Sequence, residues 1–180
     1  MSGNCDGQVV IVTGAGRGLG RAHALALASE GASVLVNDLG VSLDGEGTGS
    51  SPADQVVNEI LEMGGKAEAN SADVADWEQA EKMVSHAIEK WGRLDALICN
   101  AGFLRDRMLV GMSEDEWDSV IRVRLKGHLA PARHAASHWR NLAKEGKEVE
   151  GRIVMTSSGA GLMGSVGQGN YAAAKAGIAL

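Results

Sequence analysis

Two cysteines, two prolines and a single tyrosine are all that this 180-residue chain contains of those residue types. Cys5 lies in a polar N-terminal stretch and Cys99 ends an apolar run, so both read as reduced thiols, as in a cytosolic protein. Twenty-five glycines against so few prolines point to tight turns and close backbone approaches, not to disorder. No apolar run approaches membrane-spanning length, and the opening residues Met1-Ser-Gly-Asn-Cys-Asp6 carry neither a basic nor an apolar leader segment. The expectation is a cytoplasmic protein without a membrane partner. A net charge of −6 also lacks the basic footprint that nucleic acid requires. Hydrophobic residues at 44% and charged residues at 22% suit one soluble domain spanning 1–180.

Short β-rich runs alternate with helical patterns, the signature of a parallel sheet covered on both faces. Strands are expected at 9–13, 33–37, 66–70, 94–99 and 151–156. Helices are expected over 22–30, ending at Gly31, and from Ser51-Pro52-Ala-Asp54 to Gly64-Gly65. A third follows the cap Asp76 and stops at Gly92, and a fourth opens with the capping box Ser113-Glu-Asp-Glu116 and runs to about Lys144. Right-handed crossovers give an α/β, Rossmann-type doubly wound parallel sheet in three α/β/α layers, ordered 3-2-1-4-5. Its ligand crevice falls at the carboxyl ends of strands one and four. The Gly/Ser-rich loop at 39–50 lies beside that crevice, either as a solvated insertion or as a lid.

Strand one breaks into Gly14-x-x-x-Gly18-x-Gly20 and then an alanine-rich helix. Glycines there let phosphate approach backbone N–H groups and the positive end of the helix dipole. Arg21-Ala22 follow where a nucleoside-triphosphate loop needs Lys and then Ser or Thr, which excludes the kinase and GTPase readings. Alone, such a turn is also compatible with simple packing. Asp38 closes the second strand, where a carboxylate accepts ribose hydroxyls and repels a 2′-phosphate; this favours NAD over NADP. Arg17 in the loop would act the other way, but Asp38 outweighs it by its place where the ribose would lie; without the glycine loop it would read as a strand-end cap or turn aspartate.

Tyr171 stands one helical turn before Lys175 and thirteen positions after Ser158. A phenol, an ammonium and a hydroxyl converging on one point can move a proton to or from a carbinol oxygen. Free tyrosine titrates near 10, so holding a phenol near neutrality costs about 4 kcal/mol, which a nearby cation offsets. A buried helix tyrosine with a snorkelling lysine is the bland alternative. His134 and His138 share a helix face without a third ligand at suitable spacing, so no metal is expected.

Thr13-Gly14-Ala-Gly-Arg17-Gly18-Leu19-Gly20, Asp73-Val74, Asn100-Ala101-Gly102, Ser158 and Tyr171-Ala-Ala-Ala-Lys175 together resemble the short-chain dehydrogenase/reductase family in order and spacing. Asn37-Asp38-Leu39-Gly40 and Phe103-Leu104-Arg105-Asp106-Arg107 look more specifically like the hydroxyacyl-CoA dehydrogenase part of peroxisomal multifunctional enzymes. They are also similar to ketoacyl reductases of fatty-acid synthesis. The resemblance implies a nicotinamide dinucleotide, NAD in preference to NADP, held by Gly14, Arg17, Gly18, Leu19, Gly20, Asp38, Asp73, Val74, Asn100, Ala101, Gly102, Tyr171 and Lys175. It implies adenine contact by Asp73 and support of the central strands and adenosine ribose by Asn100. Tyr171 becomes the acid/base, Lys175 its tuner and ribose ligand, and Ser158 the anchor that polarises a carbonyl. The implied reaction interconverts a secondary alcohol and a ketone, with a 3-hydroxyacyl thioester as one candidate. A homodimer or homotetramer through the long basic helix and the Tyr171 helix is implied as well.

Three departures qualify the resemblance. Cys99 replaces the first asparagine of Asn-Asn-Ala-Gly. Arg124, in Val123-Arg124-Leu-Lys-Gly127, stands where the family has the asparagine that holds a proton-relaying water. Arginine cannot accept a hydrogen bond and adds a cation near Lys175, so Arg124→Asn is expected to raise turnover. The family's later strand, Pro-Gly turn, substrate-covering segment and last strand are not among the 180 residues. That implies weak catalysis, a fragment of an active enzyme, or a dinucleotide-binding protein without catalysis, with an unprotected fifth strand that invites self-association.

Overall fold

The computed structural model describes residues 3–40 and 51–179; most of the expected loop at 39–50 lies outside the described residues. Five strands, β1 (Val9–Thr13), β2 (Ser33–Asn37), β3 (Lys66–Asn70), β4 (Ala96–Cys99) and β5 (Arg152–Met155), form one parallel sheet ordered β3-β2-β1-β4-β5. Val10 lies opposite Val34 on one side and Ala96 on the other. This is the expected Rossmann-type order, and it reverses between β1 and β4.

A strand buried on both faces must be apolar at consecutive positions, and β1 (Val-Val-Ile-Val-Thr) is buried throughout. Its side chains alternate between two cores. Val9 and Ile11 pack with Leu35, Leu97 and Met83, whereas Val10 and Val12 pack with Val34, Val36, Val56 and Ile60. Each such side chain contributes roughly 1.5–3 kcal/mol on burial. Helices α1 (Gly18–Ser29) and α2 (Pro52–Glu62) cover the second core, and α3 (Trp77–Trp91) and α5 (Gly127–Lys144) cover the first. The edges are different. β3 is a half-buried Lys-Ala-Glu-Ala-Asn strand, and β5 is exposed along its length, Val154 to 52%.

The caps lie where the sequence puts them. Ser51 and Asp54 form a capping box ahead of α2, as do Ser113 and Glu116 ahead of α4 (Glu114–Ile121). Asp76 accepts from Gln79 N at 2.9 Å, and Gly92 ends α3 at φ 79°. Three elements differ from expectation in their bounds, β5 by spanning Arg152–Met155 where 151–156 is expected. α1 begins at Gly18, inside the glycine turn, because glycine's poor helix propensity hides a helix start that has no side-chain cap. The strand expected at 94–99 starts at Ala96; just before it, Asp95 still pairs its backbone with Val9 O and Arg152 N, and its carboxylate holds the Val9 N–H at 2.8 Å and the Arg93 guanidinium.

The long helix expected from 114 is broken by a π turn, Arg122–Lys126, between α4 and α5. Pro131, early in α5, has no N–H for the carbonyl of Gly127, which removes one bond of the regular ladder just downstream. Gly127 itself permits a close approach, since a Cβ there would meet Val74 Cγ2 at 2.8 Å. Helices α6 (Gly159–Met163) and α7 (Gly169–Ala179) complete the described chain, and none of the described helices is long and apolar enough to cross a membrane.

Candidate active site

A cleft of about 700 Å³ opens where the strand order reverses, at the carboxyl ends of β1 and β4. Its first wall is the glycine turn: Gly14, Arg17, Gly18 and Leu19 line it. Arg17, the N-cap of α1, is extended and makes no side-chain cap, so the helix presents uncapped first-turn N–H groups. The glycines serve different ends. A Cβ on Gly14 (φ 61°) would sit 2.6 Å from Ala101 Cα, and one on Gly20 would sit 2.1 Å from Gly14 O. Gly18 (φ 54°) faces open space. Gly20 therefore packs the turn from behind, outside the cleft lining, while Gly18 keeps the mouth of the helix clear. An open helix N-terminus of this kind suits an anionic phosphate group.

Asn100, Ala101 and Gly102, at the end of β4, line the opposite side. Thr13 Oγ1 accepts from Asn100 N at 3.0 Å and Ala101 N at 3.1 Å, and Asn100 Nδ2 donates to Thr13 O and Gly14 O at 3.3 and 3.2 Å. These bonds sew the two strand ends together. Thr13 carries that role although its motif, not its side chain, is what the sequence draws attention to. Asp38 lines the cleft beyond β2; its Oδ2 accepts from Gly16 N and its Oδ1 from Gly40 N, both at 3.0 Å. Asp73 and Val74 line it beyond β3. Burial raises the Asp73 pKa, but bonds from Arg122 (2.7 Å) and Ala75 N (2.9 Å) outweigh this and hold the carboxyl below its ordinary range.

Tyr171 and Lys175 close the far end together with Arg124, Thr156 and Ser157. Asn170 fixes the start of their helix: fully buried, it donates to Arg105 O at 3.0 Å and Glu116 O at 2.9 Å. Its only visible signal in the sequence is its place beside the tyrosine. Lys175 is fully buried, its Nζ donates to Thr156 O and lies 5.8 Å from the Tyr171 ring centroid. Burial, and then the charge of Arg124, push its pKa down to about 8. Arg124 Cζ stands 4.9 Å from the same ring centroid. Ser158 is the exception among the expected catalytic residues. Its Oγ caps α6, accepting from Ala160 N at 3.2 Å, and it does not line the cleft, whereas Ser157 does. Cys99 is buried and its thiol is pushed up to about 12, so it acts as packing. His134 packs its ring on Trp77 at 5.1 Å, and the described residues contain no group of three or more possible metal ligands. Chemically, one end can hold phosphate and the other can exchange a proton with an oxygen atom.

Residues 8–180 match the family model described as short chain dehydrogenase. The chain is 51% identical over 173 residues to peroxisomal multifunctional enzyme type 2 of Mus musculus, covering 96% of this chain and 22% of that protein. It is 49% identical over 175 residues to hydroxyacyl-CoA dehydrogenase ChsB1 of Mycobacterium tuberculosis, covering 96% of this chain and 54% of that one. The crystal structure of a short chain dehydrogenase from Mycobacterium avium superposes with a TM-score of 0.93 at 62% identity, over 98% of this chain and 61% of that one. The chain thus spans less than two thirds of each of these relatives. With the matching fold, the cleft at the strand reversal and the Tyr171–Lys175 pair, this chain belongs to the short-chain dehydrogenase family.

Proposed function

We propose that the chain carries the dinucleotide-binding and proton-transferring part of an oxidoreductase that interconverts a secondary alcohol and a ketone, with a 3-hydroxyacyl or 3-oxoacyl thioester as substrate. The observation that carries this reading is one cleft with an uncapped helix N-terminus at one end and Tyr171 beside Lys175 at the other. A nicotinamide dinucleotide fits that cleft: Gly18 leaves room for its pyrophosphate, and Asp38 stands where the adenosine ribose would lie. NAD is favoured over NADP because Asp38 would repel a 2′-phosphate. The coenzyme, when bound, takes up or gives the hydride. Tyr171 moves the proton at the substrate oxygen, and Lys175 holds positive charge beside it and binds ribose; Ser158 is the proposed anchor of the oxygen, a role that requires its hydroxyl to leave the α6 cap. The acyl thioester class is supported by the name of the Mycobacterium tuberculosis relative. Assembly as a homodimer or homotetramer and a cytoplasmic location belong to the same proposal; several relatives are named as peroxisomal, so cell fractionation tests the location.

Calorimetry with NAD and NADP, followed by reduction of NAD with a 3-hydroxyacyl-CoA, is the test. Binding of NAD with turnover is expected, and binding of neither coenzyme overturns the reading. One observation favours a second reading, a dinucleotide-binding protein without catalysis: the Ser158 hydroxyl caps a helix and lies outside the cleft lining. Tight NAD binding without any turnover, set against an active longer relative, would select it.

A further inference from the structure

Arg124 has no part in the reaction as proposed above, yet its head is held from several sides. Its Nε donates to Phe103 O at 2.9 Å, and its guanidinium packs so closely on Gly102 that a Cβ there would lie 2.7 Å from Cζ. Cζ stands 4.9 Å from the centre of the Tyr171 ring. Several other arginines of the chain are neutralised by carboxylates, Arg21 by Glu59, Arg93 by Asp95, Arg107 by Glu116 and Arg122 by Asp73. Arg124 has no carboxylate partner among the described residues, and Lys175 gives its ammonium to a backbone carbonyl. The two cations at the Tyr171 ring, Arg124 and Lys175, therefore carry no carboxylate partner among the described residues. Lys175 comes from its own helix and Arg124 from the π turn, while buried His128 lies at the start of α5 and Arg105 lines the cleft from the loop after β4. Glu116 of α4, the neighbouring acid, is committed to Arg107.

We propose that Arg124 is a positioning residue for Tyr171: a permanent cation fixed against the ring, which favours the ionised phenol whether or not Lys175 is protonated. The proposal rests on the reading of Tyr171 as the proton-transferring group. A guanidinium keeps its charge at every working pH, which an ammonium in this site does not. Burial, and then the charge of Arg124, bring Lys175 down to about 8, so its charge is less secure than that of the guanidinium. Burial lowers the Arg124 pKa as well, while the charge of ionised Tyr171 raises it. Because Arg124 and the phenolate attract, losing Arg124 should hinder turnover, the reverse of what its replacement of asparagine suggests in the sequence.

Tyr171 is the only tyrosine, so tyrosinate absorbance reports its ionisation alone, without substrate or coenzyme. Arg124→Gln and Arg124→Met are expected to move that titration about one unit to higher pH relative to the native chain, and Arg124→Lys by less. Turnover of the two neutral variants should fall about tenfold with KM little changed, and the acidic limb of the kcat profile should move the same way. Circular dichroism and NAD binding on the same samples establish that each variant is folded; the methionine variant keeps the aliphatic stem if glutamine is not tolerated. Superimposed titrations of the native chain and a folded neutral variant overturn the proposal. A native chain that binds no coenzyme sinks the oxidoreductase reading instead, a separate outcome.

Discussion

The two ends of the cleft are built on opposite plans. At the end beside β1 and β2, the polar groups already have partners within the chain: Asp38 takes two backbone N–H groups, Asp73 takes Arg122 and Ala75, and Thr13 and Asn100 bind each other's backbone. At the other end, Arg124 and Lys175 flank Tyr171 without a carboxylate. Near them His128 is buried with neither ring nitrogen bonded among the described residues. Satisfied hydrogen bonds make the first end a rigid cradle. Unbalanced charge makes the second end costly to fold and ready to react.

The largest effect expected at the reactive end comes from Tyr171→Phe. Removing the hydroxyl while keeping the ring should reduce turnover about 10²- to 10⁴-fold, the range for loss of a general acid or base. NAD affinity, set largely at the other end, should stay within about twofold of native by calorimetry, since surface-compatible changes leave distant sites nearly untouched. A parallel collapse of affinity would show that the two ends are not independent.

The stored charge should also appear as acid sensitivity. Burial, and then the charges of Lys175 and Arg124, push His128 down from 6.5 to about 4. Between those values the unfolded chain binds the extra proton and the folded chain does not, so stability rises with pH there. Its contribution is fully present above pH 6.5 and is lost as pH falls towards 4, by up to about 3 kcal/mol. Denaturant midpoints of the native chain and His128→Leu, compared across that interval, isolate this share from that of the carboxylates. Equal pH slopes for the two would place the acid sensitivity elsewhere.

How much of this was legible depended on the kind of interaction. Strand order and the glycine turn were readable because local signals carry them: consecutive apolar residues in β1 and β2, glycines at a strand end, caps at Ser51, Asp76 and Ser113. The Tyr171–Lys175 pair was readable because helical spacing puts both on one face. The π turn was not, since capping and periodicity describe a regular helix and the break arises from tertiary packing around Gly127 and Pro131. Sequence spacing also paired Ser158 with Tyr171 without showing that its hydroxyl caps α6. Arg124 was visible as a departure, but its contact with the ring comes from two elements far apart in the chain.

Within the cradle, two glycines should separate packing from binding. Gly20→Ala forces a Cβ against Gly14 O and should destabilise the fold by roughly 2 kcal/mol, within the usual range for overpacking. Gly18→Ala meets open space but requires φ 54°, so it should cost only about 1 kcal/mol in stability while impeding NAD. Thermal unfolding and calorimetry on both variants test the contrast. If Gly20→Ala weakens binding without loss of stability, the wall behind the turn is more pliable than its packing suggests.

The smallest predicted effect asks which coenzyme the cradle selects. Asp38→Asn keeps the shape of the side chain but replaces one acceptor with a donor, so either the Gly16 or the Gly40 N–H loses its partner, whichever way the amide turns. The negative charge disappears while Arg17 remains exposed in the adjoining turn. Repulsion of a 2′-phosphate is then gone and attraction by Arg17 remains, so the NAD/NADP affinity ratio should fall about tenfold, ~1.4 kcal/mol. Because the gain is electrostatic, it should shrink as salt is raised, whereas the loss of ribose hydrogen bonding should not. An unchanged ratio at low salt would mean that the Asp38 carboxylate serves Gly16 and Gly40 alone, making the cradle structural at the point where it was expected to discriminate.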